Sequence, residues 1–312
     1  MLWDNFDAGS NGAVIANSST GTVPPIRQGA LAGYTRWQRD GGGAYENKSV
    51  VFSNSGAKAG STLHARAAFT DGSFWGLNLY IPYAQFTTGK DLYISFYHRM
   101  VKTGADFPRQ SKAWIAYNSS WNDKAYWSTA YNNCQEGGYR THITEPDVEH
   151  WFSLQGDASE GEWVRFDTYL KQSGPNVPNG IWQQNVYRSS LATPTRESFS
   201  HINQVLRTSA DDWVKWTFGG GYYSMSCGPT GTGIIDIDDF YIDATQARVE
   251  VCDSPTWAAR NKCELQIPTT WSDASISVTL KKGYLSAGQA YVYVINASGA
   301  VNASGHAISL AP

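Results

Sequence analysis

The chain has 312 residues, of which 41% are hydrophobic and only 16% charged, which supplies a packed core and excludes a disordered chain. Its net charge of −3 excludes a general attraction to nucleic acid or an anionic membrane, so affinity for a polyanion has to come from a local basic patch. No run of about 18 apolar residues occurs, so no membrane-spanning helix is expected.

The length fits one large β domain followed by a small one. Aromatic residues reach 14%, with 13 Trp and 18 Tyr. That enrichment suits stacking on sugar rings and equally the core of a β-sandwich. The 4 Cys contain no CxxC pair, which favours two disulfides over a metal or redox site. Cys252 and Cys263 are close in sequence and are expected to pair; Cys134 with Cys227 follows by elimination. Sparse Lys, abundant Ser, Thr, Asn and Gly, and the Cys pairs are the style of a secreted, extracellular bacterial protein. Entry into a strand pattern directly after Met1 fits a chain whose signal peptide has been removed.

In chain order, 2–16 reads as a strand and a Gly/Asn turn, and 17–47 is rich in Gly, Ser and Pro. Strand-like runs follow at 49–52, 62–69, 73–81, 91–100, 113–118 and 125–131. More follow at 139–143, 163–170, 180–187, 213–218 and 233–242. Turn residues bound each one. Helical hints are confined to 83–86 and 194–198. Many short strands with turn signals predict an all-β chain with a β-jelly-roll over 1–246. Residues 247–312 hold the Cys252/Cys263 pair and alternating runs at 274–280, 290–296 and 299–310. They read as a small disulfide-pinned β-sandwich accessory domain, for binding or display.

Alternation sets the facing. Leu92, Ile94, Phe96, His98 and Met100 are expected to face the core, making His98 an interior histidine rather than a catalyst. Lys112, Trp114 and Ala116 share the other predicted face of their strand and point into a groove.

Residues 107–142 concentrate cations, amides and rings on three neighbouring strands. β-Elimination on an acidic polysaccharide needs a cation to neutralise the uronate carboxylate, a base for the C5 proton and an acid for the leaving oxygen. Lys112, Arg109, Gln110 or Arg140 suit the first task, and Tyr139 or His142 the others. Trp114, Tyr126, Ser128 and Trp182 are the expected substrate-binding residues. A hydrolase would instead need paired carboxylates. Glu145, Asp147 and Glu149 alternate after His142, although Pro146 makes that stretch read as a loop. Asp236, Asp238, Asp239 and Asp243, with Asp4 and Asp7, could bind a structural Ca²⁺ or form an exposed acidic edge. Asp4, Asp7 and Asp239 are the expected ligands. There is no Gly-rich phosphate loop, GxSxG, HExxH or zinc spacing, and no cofactor is expected for catalysis.

Four stretches carry a resemblance: WDNFDAGSNG at the start, RQSKAW followed by AYWSTAYN, GEWVRFDTYLKQSGPNVPNGIWQQNVYR, and WVKWTFGGGYYSMSCGPTGTGIIDIDDFYID. In these, residues 1–245 resemble the jelly-roll polysaccharide lyases of the glucuronan-lyase and alginate-lyase type, within the concanavalin-A-like superfamily. The resemblance implies a polysaccharide lyase with Lys112 at the carboxylate and Tyr139 as acid/base, flanked by Arg140 and His142. The readings to be weighed are a lyase on a uronic-acid-containing polysaccharide, a lectin-like binding module, and a glycoside hydrolase. A monomer with a polysaccharide or oligosaccharide partner is expected in each case.

Overall fold

The computed structural model describes residues 2–16, 38–39, 50–69, 77–79, 91–102, 110–118, 120, 122–130, 138–144, 146–155, 160–210, 212–213, 215–221 and 233–312. Two antiparallel sheets face each other. In spatial order the larger contains β14 (Thr195–Gln204), β13 (Gly180–Arg188), β12 (Val164–Lys171), β7 (Asp91–Lys102) and β16 (Gly233–Asp243). It continues through β5 (His64–Phe69), β4 (Val50–Ser53) and β2 (Val14–Ala16), and β1 (Leu2–Asp4) also pairs with β16. The second sheet runs β11 (Val148–Gln155), β10 (Gly138–Ile143), β9 (Asp123–Ala130), β8 (Gln110–Tyr117), β15 (Lys215–Gly221), β6 (Leu77–Leu79) and β3 (Gln38–Arg39). This is the predicted jelly-roll sandwich.

The core lies between the sheets because alternation puts one face of each strand there. Leu92, Ile94, Phe96 and Met100 of β7 join Phe166 and Leu170 of β12 and Trp114 and Trp127 of the second sheet. His98 is interior as expected, edge-on to Trp127 at 5.5 Å. Burial pushes its pKa down to about 3, so it stays neutral in the fold.

Several expectations are corrected. Residues 194–198 open strand β14, not a helix: Thr195 to Gln204 pair with β13, and tertiary pairing overrides the local signal. The other helical hint, 83–86, lies outside the described residues. Residues 148–155 form β11, where Pro146 and the charges suggested a loop; Pro146 sits in the preceding turn and costs the ladder nothing. The aspartates of β16 are not an exposed edge, since β16 is a central strand between β7 and β5. Asp236 is fully buried against Arg66 (2.8 Å), Arg99 (2.6 Å) and His64 (3.2 Å). Burial pushes its carboxyl up, but these donors and charges outweigh it and hold it at about 2. A bulge at Asp239, whose φ is +49°, lets Asp238 face out while Phe240 returns to the core.

The C-terminal residues form β17 (Arg248–Cys252), β18 (Cys263–Gln266), β21 (Gly288–Ile295) and β22 (His306–Leu310) in one sheet. β19 (Pro268–Trp271) and β20 (Ile276–Val278) pair separately. The expected Cys252–Cys263 disulfide is present and packs on Tyr187 and Tyr293. Cys134 and Cys227 lie outside the described residues. This module covers the outer face of the larger sheet, so Tyr93, Ser95 and Tyr97 are buried although they point away from the core. Arg165 of β12 donates to the Cys263 carbonyl at 2.7 Å and lies 3.3 Å from Glu250, and Tyr97 donates to Glu264 at 2.7 Å.

Candidate functional site

The hairpin of β10 and β11 builds the site. Along β10, Tyr139, Thr141 and Ile143 turn inward, while Arg140 and His142 turn out. Across the ladder His142 stands level with Tyr126 of β9 on one side and Glu149 of β11 on the other. Two residues along, Arg140 stands level with Ser128 and Trp151. Cross-strand neighbours on one face are close enough to touch, as Tyr126 does His142 and Arg140 does Trp151.

The Tyr126 hydroxyl is the hub. It lies 2.7 Å from Nδ1 of His142 and 3.2 Å from Nη2 of Arg140. The two rings meet edge to face at 5.0 Å. Nε2 of His142 is 2.6 Å from Oδ1 of Asp147. Asp147 occupies the turn between β10 and β11 at φ +67°, a conformation Asp tolerates better than most residues, and so reaches back over the hairpin to His142. A carboxylate only accepts, so Nε2 carries the proton and Nδ1 accepts from the phenol. Arg140 also pairs with Glu149 and lies 5.3 Å from the exposed ring of Trp151. Tyr126 packs its ring on Ile115 and Tyr117.

Sequence reasoning placed Arg140, His142 and Tyr126 in one site, and the fold brings them together. It separates others. Tyr139, the expected acid/base, is buried on the opposite side of β10, stacked on Trp127 at 4.6 Å with its hydroxyl against the Met100 sulfur. Trp114 and Trp182, expected to stack on sugar, are core residues at 0% and 2% exposure. Trp114 does not share Lys112's register. The ladder shifts between them, so Lys112 is level with Ser128 and Trp114 with Trp127. Backbone pairing puts Lys112, Ser128 and Arg140 in one cross-strand row and Gln110 level with Ala130. Arg109 and Glu145 lie outside the described residues.

Asp147 and Glu149, the hydrolase candidates, serve instead as partners of His142 and Arg140. The expected Ca²⁺ ligands each have protein partners. Oδ1 of Asp4 accepts from the Phe6 N–H, and Oδ1 of Asp7 accepts from Thr62 and Leu63. Asp239 pairs with the ammonium groups of buried Lys58 (2.9 Å) and Lys281, which supply its positive charge. Among the described residues the only grouping of metal-type ligands is Glu250 with Cys252 and Cys263, whose sulfurs form the disulfide.

No family model and no curated protein matches the sequence. The chain resembles solved structures of glucuronan and alginate lyases. One is an endo-beta-1,4-glucuronan lyase from the fungus Trichoderma reesei, with a TM-score of 0.46 and 11% identity, covering 69% of this chain and 92% of that one. An alginate lyase from Aplysia kurodai gives 0.44 at 10% identity, covering 62% and 86%. The alginate lyase vAL-1 from Chlorella virus gives 0.40 at 11%, covering 63% and 88%.

Sequence reasoning undervalued Tyr126 and missed the roles of Asp147 and Trp151. The available signal was the alternation Arg140, His142 followed by Asp147, Glu149, Trp151 across a short turn, which reads as a hairpin once Pro146 is assigned to the turn.

Proposed function

We propose that the chain is a polysaccharide lyase that cleaves a uronic-acid-containing polysaccharide on the outer face of the second sheet. The observation that carries the reading is one phenol oxygen, that of Tyr126, held between His142 and Arg140 while Asp147 orients the histidine. Tyr126 passes its proton to Nδ1 of His142, and the imidazolium is balanced by Asp147. Arg140 steadies the phenolate and offers positive charge to the substrate carboxylate, which acidifies the C5 proton. Lys112, level with Arg140 in the ladder, is the second cation.

The phenolate removes the C5 proton, the bond from C4 to the glycosidic oxygen breaks, and the Tyr126 hydroxyl returns a proton to that oxygen. The products are a shortened chain and a 4,5-unsaturated uronate end. The ion pair of Glu149 with Arg140 and the hydrogen bond of Asp147 to His142 occupy both carboxylates, which speaks against the hydrolase. The Cys252–Cys263 disulfide supports an oxidising, extracellular setting.

The test is ultraviolet absorbance of unsaturated ends from glucuronan, alginate and pectate. Product from the wild type and none from Tyr126→Phe is expected; no product from any uronate polymer would sink the lyase. The exposed Trp151 beside Arg140 favours a second reading, a lectin-like module. Binding of these polymers without product would support it.

A further inference from the structure

The C-terminal module leaves one part of the larger sheet's outer face open. There β13 and β14 present a polar strip: Asn185 is level with Ser198, Gln183 with Ser200, and Tyr187 with Arg196. The module stands beside the strip with Trp257 and Arg260. Between them lies a cavity of about 540 Å³, the size of a site for a small oligosaccharide.

Its charge is unbalanced. Arg196 donates to the carbonyls of Arg260 (2.9 Å) and Ala258 (3.0 Å), to Oδ1 of Asn185 (3.3 Å) and to Oγ of Ser198 (3.5 Å). All four acceptors are neutral. Among the described residues no carboxylate lies within ion-pair distance of Arg196 or of Arg260. Arg260 is buried, donates to the Tyr187 hydroxyl at 3.2 Å and lies over the Trp257 ring at 3.3 Å. Burial, and then the like charge of Arg260, pull the Arg196 pKa down and outweigh the more distant Tyr187, Glu250 and Asp167.

The cavity has one lining carboxylate, Asp167, and its oxygens are held by Arg165 (3.0 Å each) and Ser95 (2.7 Å). The third lining arginine, Arg248, is matched by Glu250 at 2.6 Å. The Tyr93 hydroxyl in the same cavity is buried without a hydrogen-bond partner. A half-buried guanidinium with no ion-pair partner among the described residues, an unsatisfied hydroxyl, two amides, two serines and an indole are the donors and wall that an acidic sugar uses.

We propose that this cavity is a second saccharide site that binds a uronate residue of an acidic oligosaccharide, with its carboxylate at Arg196 and its hydroxyls along Gln183, Asn185, Ser198 and Ser200. It shares the substrate class of the lyase reading but not its chemistry, and it lies on the other sheet from Tyr126. The C-terminal module thereby completes a binding site, holding polymer on the face opposite the cutting site.

The experiment is isothermal titration of the full chain carrying Tyr126→Phe, so that turnover does not enter, with tetrasaccharides of polyglucuronate, polymannuronate and polygalacturonate. Cellotetraose is the neutral control. Binding of at least one uronate tetramer is expected. Arg196→Gln should weaken it about tenfold or more, Arg196→Lys should restore part of it, and raised salt should weaken it further. Ser200→Trp fills the cavity from an exposed position without touching the core, so it decides the matter even if Arg196→Gln fails to fold. The proposal is overturned by no uronate binding, by binding that Arg196→Gln and Ser200→Trp leave unchanged, or by equally tight cellotetraose binding. Loss of this binding with product formation by the parent chain intact would spare the lyase reading. Intact binding with no product would do the reverse.

Discussion

Tyr126 and His142, sixteen residues apart in the chain and level with each other on β9 and β10, share a 2.7 Å hydrogen bond between the phenol oxygen and Nδ1. Tyr139, on the same strand as His142 but at an odd spacing, cannot join them, because a strand sends neighbouring side chains to opposite faces. The strand's parity decides which tyrosine joins the outer-face cluster and which holds the sandwich together.

Tyr126→Phe keeps the ring on Ile115 and Tyr117 and removes only the hydroxyl. Product formation should fall by roughly 10²-fold or more, the usual worth of a positioned proton-transfer group, with little change in melting temperature. Tyr139→Phe should lose less than about tenfold, since its hydroxyl is buried between the sheets against the Met100 sulfur at 3.7 Å, away from the outer face. Initial rates of absorbance increase, read beside thermal melts, separate the two. Equal losses would return Tyr139 to the mechanism.

Asp147 is largely exposed, so its bond to His142 adds little stability. Its contribution is orientation of the imidazole. Asp147→Asn should lower kcat by about tenfold while leaving KM near its wild-type value. In a double-mutant cycle with His142→Ala the two losses should fall well short of additive. Full additivity would mean that Asp147 does not act through His142.

Most strands of the two large sheets, the jelly-roll, the inward face of β7 and the Cys252–Cys263 bridge were legible because period-2 alternation and turn residues are local signals; β11 and β14 were not. Trp114 was misplaced for the same reason: alternation carried forward from Lys112 puts both on one face, and the register shift between them has no sequence signature here. Trp182 and Tyr139 show a related limit, since a large aromatic alternating with polar residues reads equally as a sugar platform or a core plug. The burial of Tyr93 and Tyr97 was invisible because it depends on where a separate module docks. Asp236 read as an edge residue because its partners come from β5 and β7, far away in sequence.

His98 and Asp236 set the response to acid. The His98 pKa is 6.5 when unfolded and about 3 in the core, so between those values the unfolded chain takes up a proton that the folded chain refuses. Stability present above pH 6.5 is therefore lost as pH falls, by up to about 1.4 kcal/mol per pH unit for this one group. Asp236, lowered from 3.8 to about 2, extends the loss into that lower window. Urea midpoints between pH 7 and 4 should decline in the wild type and flatten in His98→Leu. Parallel slopes in both proteins would refute the assignment.

Arg165 fastens the two β units. It holds Asp167 on its own strand and reaches Glu250 and the Cys263 carbonyl of the module, all fully buried. Arg165→Met strips buried Asp167 of its cation and leaves Glu250 to Arg248 alone, which should cost roughly 3–5 kcal/mol, the penalty of an uncompensated buried charge at Asp167. Because the anchor and the Cys252–Cys263 bridge meet at Cys263, loss of the bridge should loosen the same joint. Closing an 11-residue separation contributes about 3 kcal/mol by loop entropy. Calorimetry should show one cooperative transition for the wild type. In Arg165→Met and in Cys252→Ala/Cys263→Ala it should divide into two, with the module melting first. Unsaturated product should still form below that first transition, since Tyr126, His142 and Asp147 lie on the opposite sheet. Two transitions in the wild type would mean that the ion network does not couple the units.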